Sequence, residues 1–107
     1  MKIIKNSIIP FRGYKAINLF GVLFVREDAV IGSVTLNHEA IHTAQMRELL
    51  YVPFYAWYII EFLLRLACIR SWSAAYRGVL FEREAYSHEG DMGYLKGRRR
   101  YAWLCHR

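Results

Sequence analysis

Two histidines four residues apart, with a glutamate directly after the first, stand at His38-Glu39-Ala40-Ile41-His42. On an α-helix, positions i and i+4 lie one above the other on the same face. Two imidazoles so placed can grip one Zn²⁺, and Glu39, a step around the helix, can reach a water bound to that ion. Zinc lowers the pKa of such a water towards neutrality, and a carboxylate alongside can take its proton. The pattern carries this meaning only on a helix. Ser33, Thr35 and Asn37 offer N-cap side chains just upstream, and the apolar series Leu36, Ala40, Ile41, Ala44, Leu49 follows. A helix from about residue 35 to 51 is expected, ending where Pro53 interferes. That context outweighs the bland alternative of two surface histidines on an amphipathic helix.

A zinc site of this kind needs a third protein ligand, and Phe81-Glu82-Arg83-Glu84-Ala85-Tyr86 is the obvious source. Phe81, Ala85 and Met92 define an apolar direction that Glu82 and Glu84 flank on opposite sides, so periodicity alone does not choose between them. Glu82 shares its stripe with Tyr86 and Glu89, a polar line suited to a site. Gln45 lies on the face of His38 and His42, where it can point at substrate or serve an imidazole as outer partner. An ordinary exposed glutamine is an equal reading. Tyr86, Tyr94 and His88 are candidates to stabilise an oxyanion, and nothing in the sequence selects among them. Otherwise His88 and His106 lack partners at metal spacing and read as surface residues. There is no Ser-His-Asp order, no G-x-S-x-G and no Gly-rich phosphate loop.

The combination of H-E-x-x-H with Glu82-Arg83-Glu84-Ala85-Tyr86 resembles the gluzincin metallopeptidases. In those enzymes a second helix supplies a downstream glutamate, often as E-x-x-x-D or E-x-E-A-D. The resemblance spans roughly residues 34–50 and 79–90. It implies one Zn²⁺ per chain, held by His38, His42 and Glu82, with Glu39 as general base in hydrolysis of a peptide or protein substrate. It favours Glu82 over Glu84, and it leaves Tyr86 where the family has its aspartate. The chain is also similar to very small single-domain gluzincins and to small zincin-like bacterial proteins, whose fold does not by itself imply activity. The rival expectation is a non-catalytic, zinc-stabilised zincin-like module that binds a partner or a membrane.

These residues need elements to position them. At 107 residues the chain is expected to be one domain, 1–107, near the lower limit for a self-sufficient core. Residues 2–9 and 14–25 are rich in β-branched and aromatic side chains, split by the turn-like Pro10-Phe11-Arg12-Gly13. In the second run Tyr14, Phe20, Val22 and Phe24 point one way and Ile17, Leu19, Leu23 and Val25 the other, which predicts a strand buried on both faces. Residues 26–34 read as a loop with at most one short strand. Helices are expected over 53–69, 71–77 and 79–90, with a helical tail from Asp91 broken by Gly93 and Gly97. The expected fold is therefore α+β, mostly α: a small N-terminal β ribbon or sheet (1–34), then the H-E-x-x-H helix and two to three further helices (35–107).

Apolar residues make up 55% of the chain, so it is not a disordered tail and must hide or share that surface. Residues 49–69 concentrate the problem, with only Glu61 and Arg65 charged, four apart and able to pair. Pro53 and these charges argue against a membrane span, so a core helix is the preferred reading. On it, Phe54, Trp57, Ile60 and Leu64 should be buried in a soluble monomer, with a homodimer next in order. An in-plane membrane or partner-docking helix is the second reading, supported by Tyr55, Trp57, Tyr58 and the basic tail. The net charge is +6, and Lys96, Arg98, Arg99, Arg100 and Arg107 crowd the end; a solvated terminus is preferred there over an anionic membrane surface. No nucleic-acid partner is expected, since no binding motif accompanies the charge. Cys68 and Cys105 read as free thiols. The apolar pairs Ile3-Ile4 and Ile8-Ile9 are split by Lys5, Asn6 and Ser7, so the start does not read as a signal peptide and a cytoplasmic location, free or membrane-associated, is the default expectation.

Overall fold

The apolar run from 14 to 25 folds back on itself at Phe20-Gly21. In the computed structural model, which describes residues 2–6, 16–27 and 31–106, strands β2 (Ala16–Leu19) and β3 (Val22–Arg26) form an antiparallel hairpin. Phe20 and Gly21 both have positive φ, 54° and 86°, the backbone that a two-residue hairpin turn requires. Phe20 is an unusual choice there. Its N–H donates to the Tyr55 hydroxyl at 2.9 Å, and its ring lies 5.2 Å from that of Tyr55, which holds it in place. Strand β1 (Lys2–Asn6) pairs in parallel on the other side of β3, giving the order β1-β3-β2. The single doubly buried strand is thus corrected to two strands: in β3 only Leu23 and Val25 are buried, alternating with half-exposed neighbours. The turn expected at 10–13 lies outside the described residues.

Helix α1 (Ser33–Glu48) begins two residues earlier than expected, with Gly32 in extended backbone as its cap and no side-chain cap bond. It stops in two strained residues. Leu50 has φ 58°, and the Tyr51 N–H closes the helix end onto the Met46 carbonyl at 2.8 Å. Tyr51 then adopts φ 68°, ψ −70°, a tight γ-turn closed by Val52 N–H to the Leu50 carbonyl at 2.9 Å. The chain turns sharply into α2 (Val52–Ile69), where Pro53 sits in the first turn and costs no helix hydrogen bond. Three short helices follow: α3 (Trp72–Gly78), capped by Ser71 Oγ, then α4 (Leu80–His88) and α5 (Tyr94–Gly97). A 3-10 turn, Ala102–His106, ends the described chain. The fold is α+β and mostly helical, a small sheet followed by helices.

The core gathers Met46, Phe54, Val79, Leu80, Phe81 and Trp103, with Phe54 and Trp103 at 4.6 and 5.1 Å from the Phe81 ring. Helix α4 is locked to α2 by Glu61, whose carboxylate accepts the Leu80 N–H at 3.1 Å and pairs with Arg65 at 2.7 Å. The core-helix expectation for α2 holds at Phe54 alone. Trp57, Ile60 and Leu64 are 41%, 59% and 65% exposed, because the helix turns its charged side inward and its uncharged side out. By length and composition α2 is also able to cross a membrane. The basic tail needs a second correction. Arg98 is not solvated: it is buried against Glu84 (2.6 Å) and Glu48 (2.9 Å). Cys68 and Cys105 are free and exposed.

Candidate metal centre

His38 and His42 lie one turn apart on the buried face of α1, and α4 crosses that face with Glu82 in its first turn. His38 Nε2 and His42 Nε2 each lie 3.1 Å from Glu82 Oε1 and 3.1 Å from one another. Three ligand atoms therefore form a nearly equilateral triangle. A tetrahedral zinc with bonds of about 2.05 Å separates its ligand atoms by about 3.3 Å, so the triangle has the size such an ion needs. Among the described residues this is the one group of three metal-ligating side chains, and all three are buried.

The outward nitrogens are fixed as well. His38 Nδ1 lies 2.7 Å from Glu89 Oε2, and His42 Nδ1 lies 2.8 Å from Gln45 Oε1. Both acceptors take an N–H from Nδ1, which leaves each Nε2 with a lone pair aimed at the other. Two such lone pairs at 3.1 Å demand a cation or a proton between them. In the metal-free arrangement burial opposes a charge on His42, yet the Glu82 carboxylate beside it lifts its pKa to about 9. Burial also opposes the charge on Glu82, but His42 and His38 with the Tyr58 hydroxyl (2.6 Å to Oε2) hold that carboxyl far below its ordinary value. The cluster is built to keep a positive centre opposite Glu82.

Around the triangle the reading of Gln45 as outer partner of an imidazole holds, and the exposed reading does not. Gln45 is wholly buried and donates from Nε2 to the Phe81 carbonyl (3.0 Å) and Glu84 Oε1 (2.9 Å). Glu84 faces Gln45, Arg98 and the Tyr94 hydroxyl rather than the imidazoles. Tyr86 packs its ring edge-on against His38 at 4.6 Å, and Glu89, one turn further along the Glu82 stripe, is the carboxylate that orients His38. Asn37, read as a cap of α1, instead holds the end of α4 by donating to the carbonyls of His88, Glu89 and Asp91 at 2.9–3.2 Å. Of the three oxyanion candidates, Tyr94 is bound to Glu84 and His88 is stacked on Tyr94 with its Nε2 3.0 Å from His106 Nε2. None of the three, Tyr86 included, lines the cavity beside the triangle.

That cavity, about 290 Å³, is lined by Glu39, His42 and Glu82, by Ile17, Asn18 and Leu19 of β2, and by Met46, Phe54, Tyr55, Tyr58 and Tyr76. Asn18 ties the sheet to the motif: its Nδ2 donates to the Glu39 carbonyl and to Thr43 Oγ1, both at 3.0 Å. Burial raises the pKa of Glu39, and the two imidazoles moderate the rise. Burial, with the Glu82 charge behind it, likewise keeps Tyr58 and Tyr76 protonated far above the ordinary tyrosine range. The two tyrosines were not foreseen: they lie in segments without a motif, and only the fold carries them to Glu82. No protein-family model matches the chain, and no curated protein or solved structure is significantly similar to it.

Proposed function

We propose that this chain is a zinc-dependent metallopeptidase of the gluzincin kind, with His38, His42 and Glu82 as metal ligands and Glu39 as general base. The observation that carries the reading is the buried N, N, O triangle opening on a cavity that Glu39 also lines. Bound there, zinc would supply a water acidified towards neutral pH and would polarise a substrate carbonyl. Glu39 takes the proton from the attacking water and returns it to the leaving amine, and its raised pKa suits a group that must do both. Tyr76, kept neutral, places a hydroxyl on the wall of the cavity where a developing oxyanion would need a donor, whereas the Tyr58 proton is already given to Glu82 Oε2. The walls from Ile17, Leu19, Met46 and Phe54 favour an apolar side chain next to the scissile bond. A non-catalytic metal module would be expected to fill its fourth position or block its groove. Three protein ligands and an adjoining cavity support the enzyme instead.

Purified protein should contain one zinc per chain by elemental analysis, and His38→Ala or His42→Ala should lose it. Glu39→Gln should keep the metal and lose all peptide hydrolysis. Full zinc occupancy in both histidine variants would overturn the ligand set. Undiminished hydrolysis in Glu39→Gln would overturn the base.

A further inference from the structure

Helix α2 is built the wrong way round for a helix on the surface of a water-exposed protein. Its two charged residues face inward, where Glu61 accepts the Trp57 indole N–H and the Leu80 N–H and pairs with Arg65. The Arg65 side chain lies over Gly78, 3.3 Å from where a Cβ would stand. What remains outside is a face about half the helix wide, without one charged side chain: Val52, Ile59, Ile60, Leu63, Leu64 and Ala67 are all exposed. Leu50 and Trp72 extend it at either end. Scattered exposed leucines need no explanation, but a continuous uncharged face on a helix of this length does.

The surroundings of the face are cationic. Exposed Arg47 precedes it and exposed Arg70 ends it. Trp103 packs edge-on against Trp57 at 5.1 Å, which brings the terminal segment with exposed Arg99 and Arg100 to the first half of α2. Among the described residues, the two carboxylates nearest the face in sequence are both taken up elsewhere: Glu48 is engaged by Arg98, and Glu61 is turned inward. An apolar stripe with a basic margin is the pattern of a helix lying in the headgroup region of an anionic bilayer. A span is disfavoured by the fold itself. Helix α3 packs back along α2 and carries exposed Ser73 and Arg77, which a vertical α2 would hold at bilayer depth.

We infer that the outer face of α2 docks in plane on an anionic lipid surface, with Arg70, Arg99 and Arg100 contacting the headgroups. The inference stands apart from the metal reading and is tested apart from it. Zinc-loaded and chelator-treated protein should both co-sediment with vesicles of phosphatidylcholine and phosphatidylglycerol, much less with phosphatidylcholine alone, and should be released by high salt. Replacing two cations by Arg99→Gln with Arg100→Gln should weaken binding roughly thirtyfold. Ile60→Glu with Leu64→Glu, both at exposed positions, should abolish it while leaving the far-ultraviolet circular dichroism unchanged. Undiminished vesicle binding by that second variant would overturn the surface assigned. A dimer in sedimentation velocity that the same variant dissociates, without vesicle binding, would assign the face to a second copy instead. Retention on membranes through alkaline carbonate would show a span and overturn the in-plane geometry.

Discussion

The orientation of an imidazole is set by whatever holds the nitrogen that does not face the metal. Here Glu89 does this for His38 and Gln45 for His42, and the two are not equivalent. Glu89 is a partly exposed carboxylate that fixes the ring of its imidazole, whereas Gln45 is a buried neutral amide anchored in turn by Glu84 and the Phe81 carbonyl. Glu89→Ala should therefore weaken zinc binding about 10–100-fold without unfolding the protein, measured by competition with a chromophoric chelator. On the proposed ligand set Glu82→Ala removes a ligand outright and should weaken binding further still. If Glu84→Ala rather than Glu82→Ala releases the metal, the ligand triangle is wrongly assigned. Glu89 was visible in the sequence only as the far end of a polar stripe. Two turns of helix placed it, and the contact with His38 depended on a crossing angle that no motif records.

Elements were legible wherever their signal was local. The H-E-x-x-H helix, the break before Pro53 and the short helices from 71 onwards follow from spacing and from the breaking residues, whereas the side-chain cap expected for the H-E-x-x-H helix is not made. The hairpin was hidden because Phe20-Gly21 lacks the Asn or Asp that usually marks such a turn, and Phe20 is held there by Tyr55, 35 positions away. The burial of α2 was misread because composition cannot say which side of a helix its neighbours occupy. Two expectations follow at this scale. Leu50 adopts a left-handed backbone while 78% exposed, so Leu50→Gly relieves strain at little loss of packing and should stabilise by about 0.5–1 kcal/mol in urea unfolding. Conversely, Arg98→Met strands Glu84 and should cost about 3–5 kcal/mol. Burial disfavours the charge on Glu84, but hydrogen bonds from Arg98, Gln45 and Tyr94 outweigh it and lower its pKa. Stability from this cluster is then full above pH 4.5 and drains away as pH falls through the lowered value. The Arg98→Met variant should lack that acid limb.

A molecule of 107 residues that leaves much of its longest helix uncovered has little apolar surface to spare for stability. Polar contacts tie its elements together around the His38, His42 and Glu82 triangle, where α1 and α4 meet through Glu82, Gln45 and Asn37 and the sheet is tied in through Asn18. A cation bound there joins the two helices that carry its ligands, and its binding energy becomes folding energy. Without it, a proton on His42 must stand in for the cation between the two imidazoles and the buried Glu82 carboxylate, 3.1 Å apart. Free zinc at a thousand times its dissociation constant would contribute about 4 kcal/mol, which for a chain of this size corresponds to a midpoint shift of about 15 °C. Chelation should lower the thermal midpoint by that order, and added zinc should restore it. The His42→Ala variant should melt near the chelated wild type and respond to neither treatment. A wild-type midpoint unmoved by chelation at verified metal loss would mean that the helices hold together without the ion.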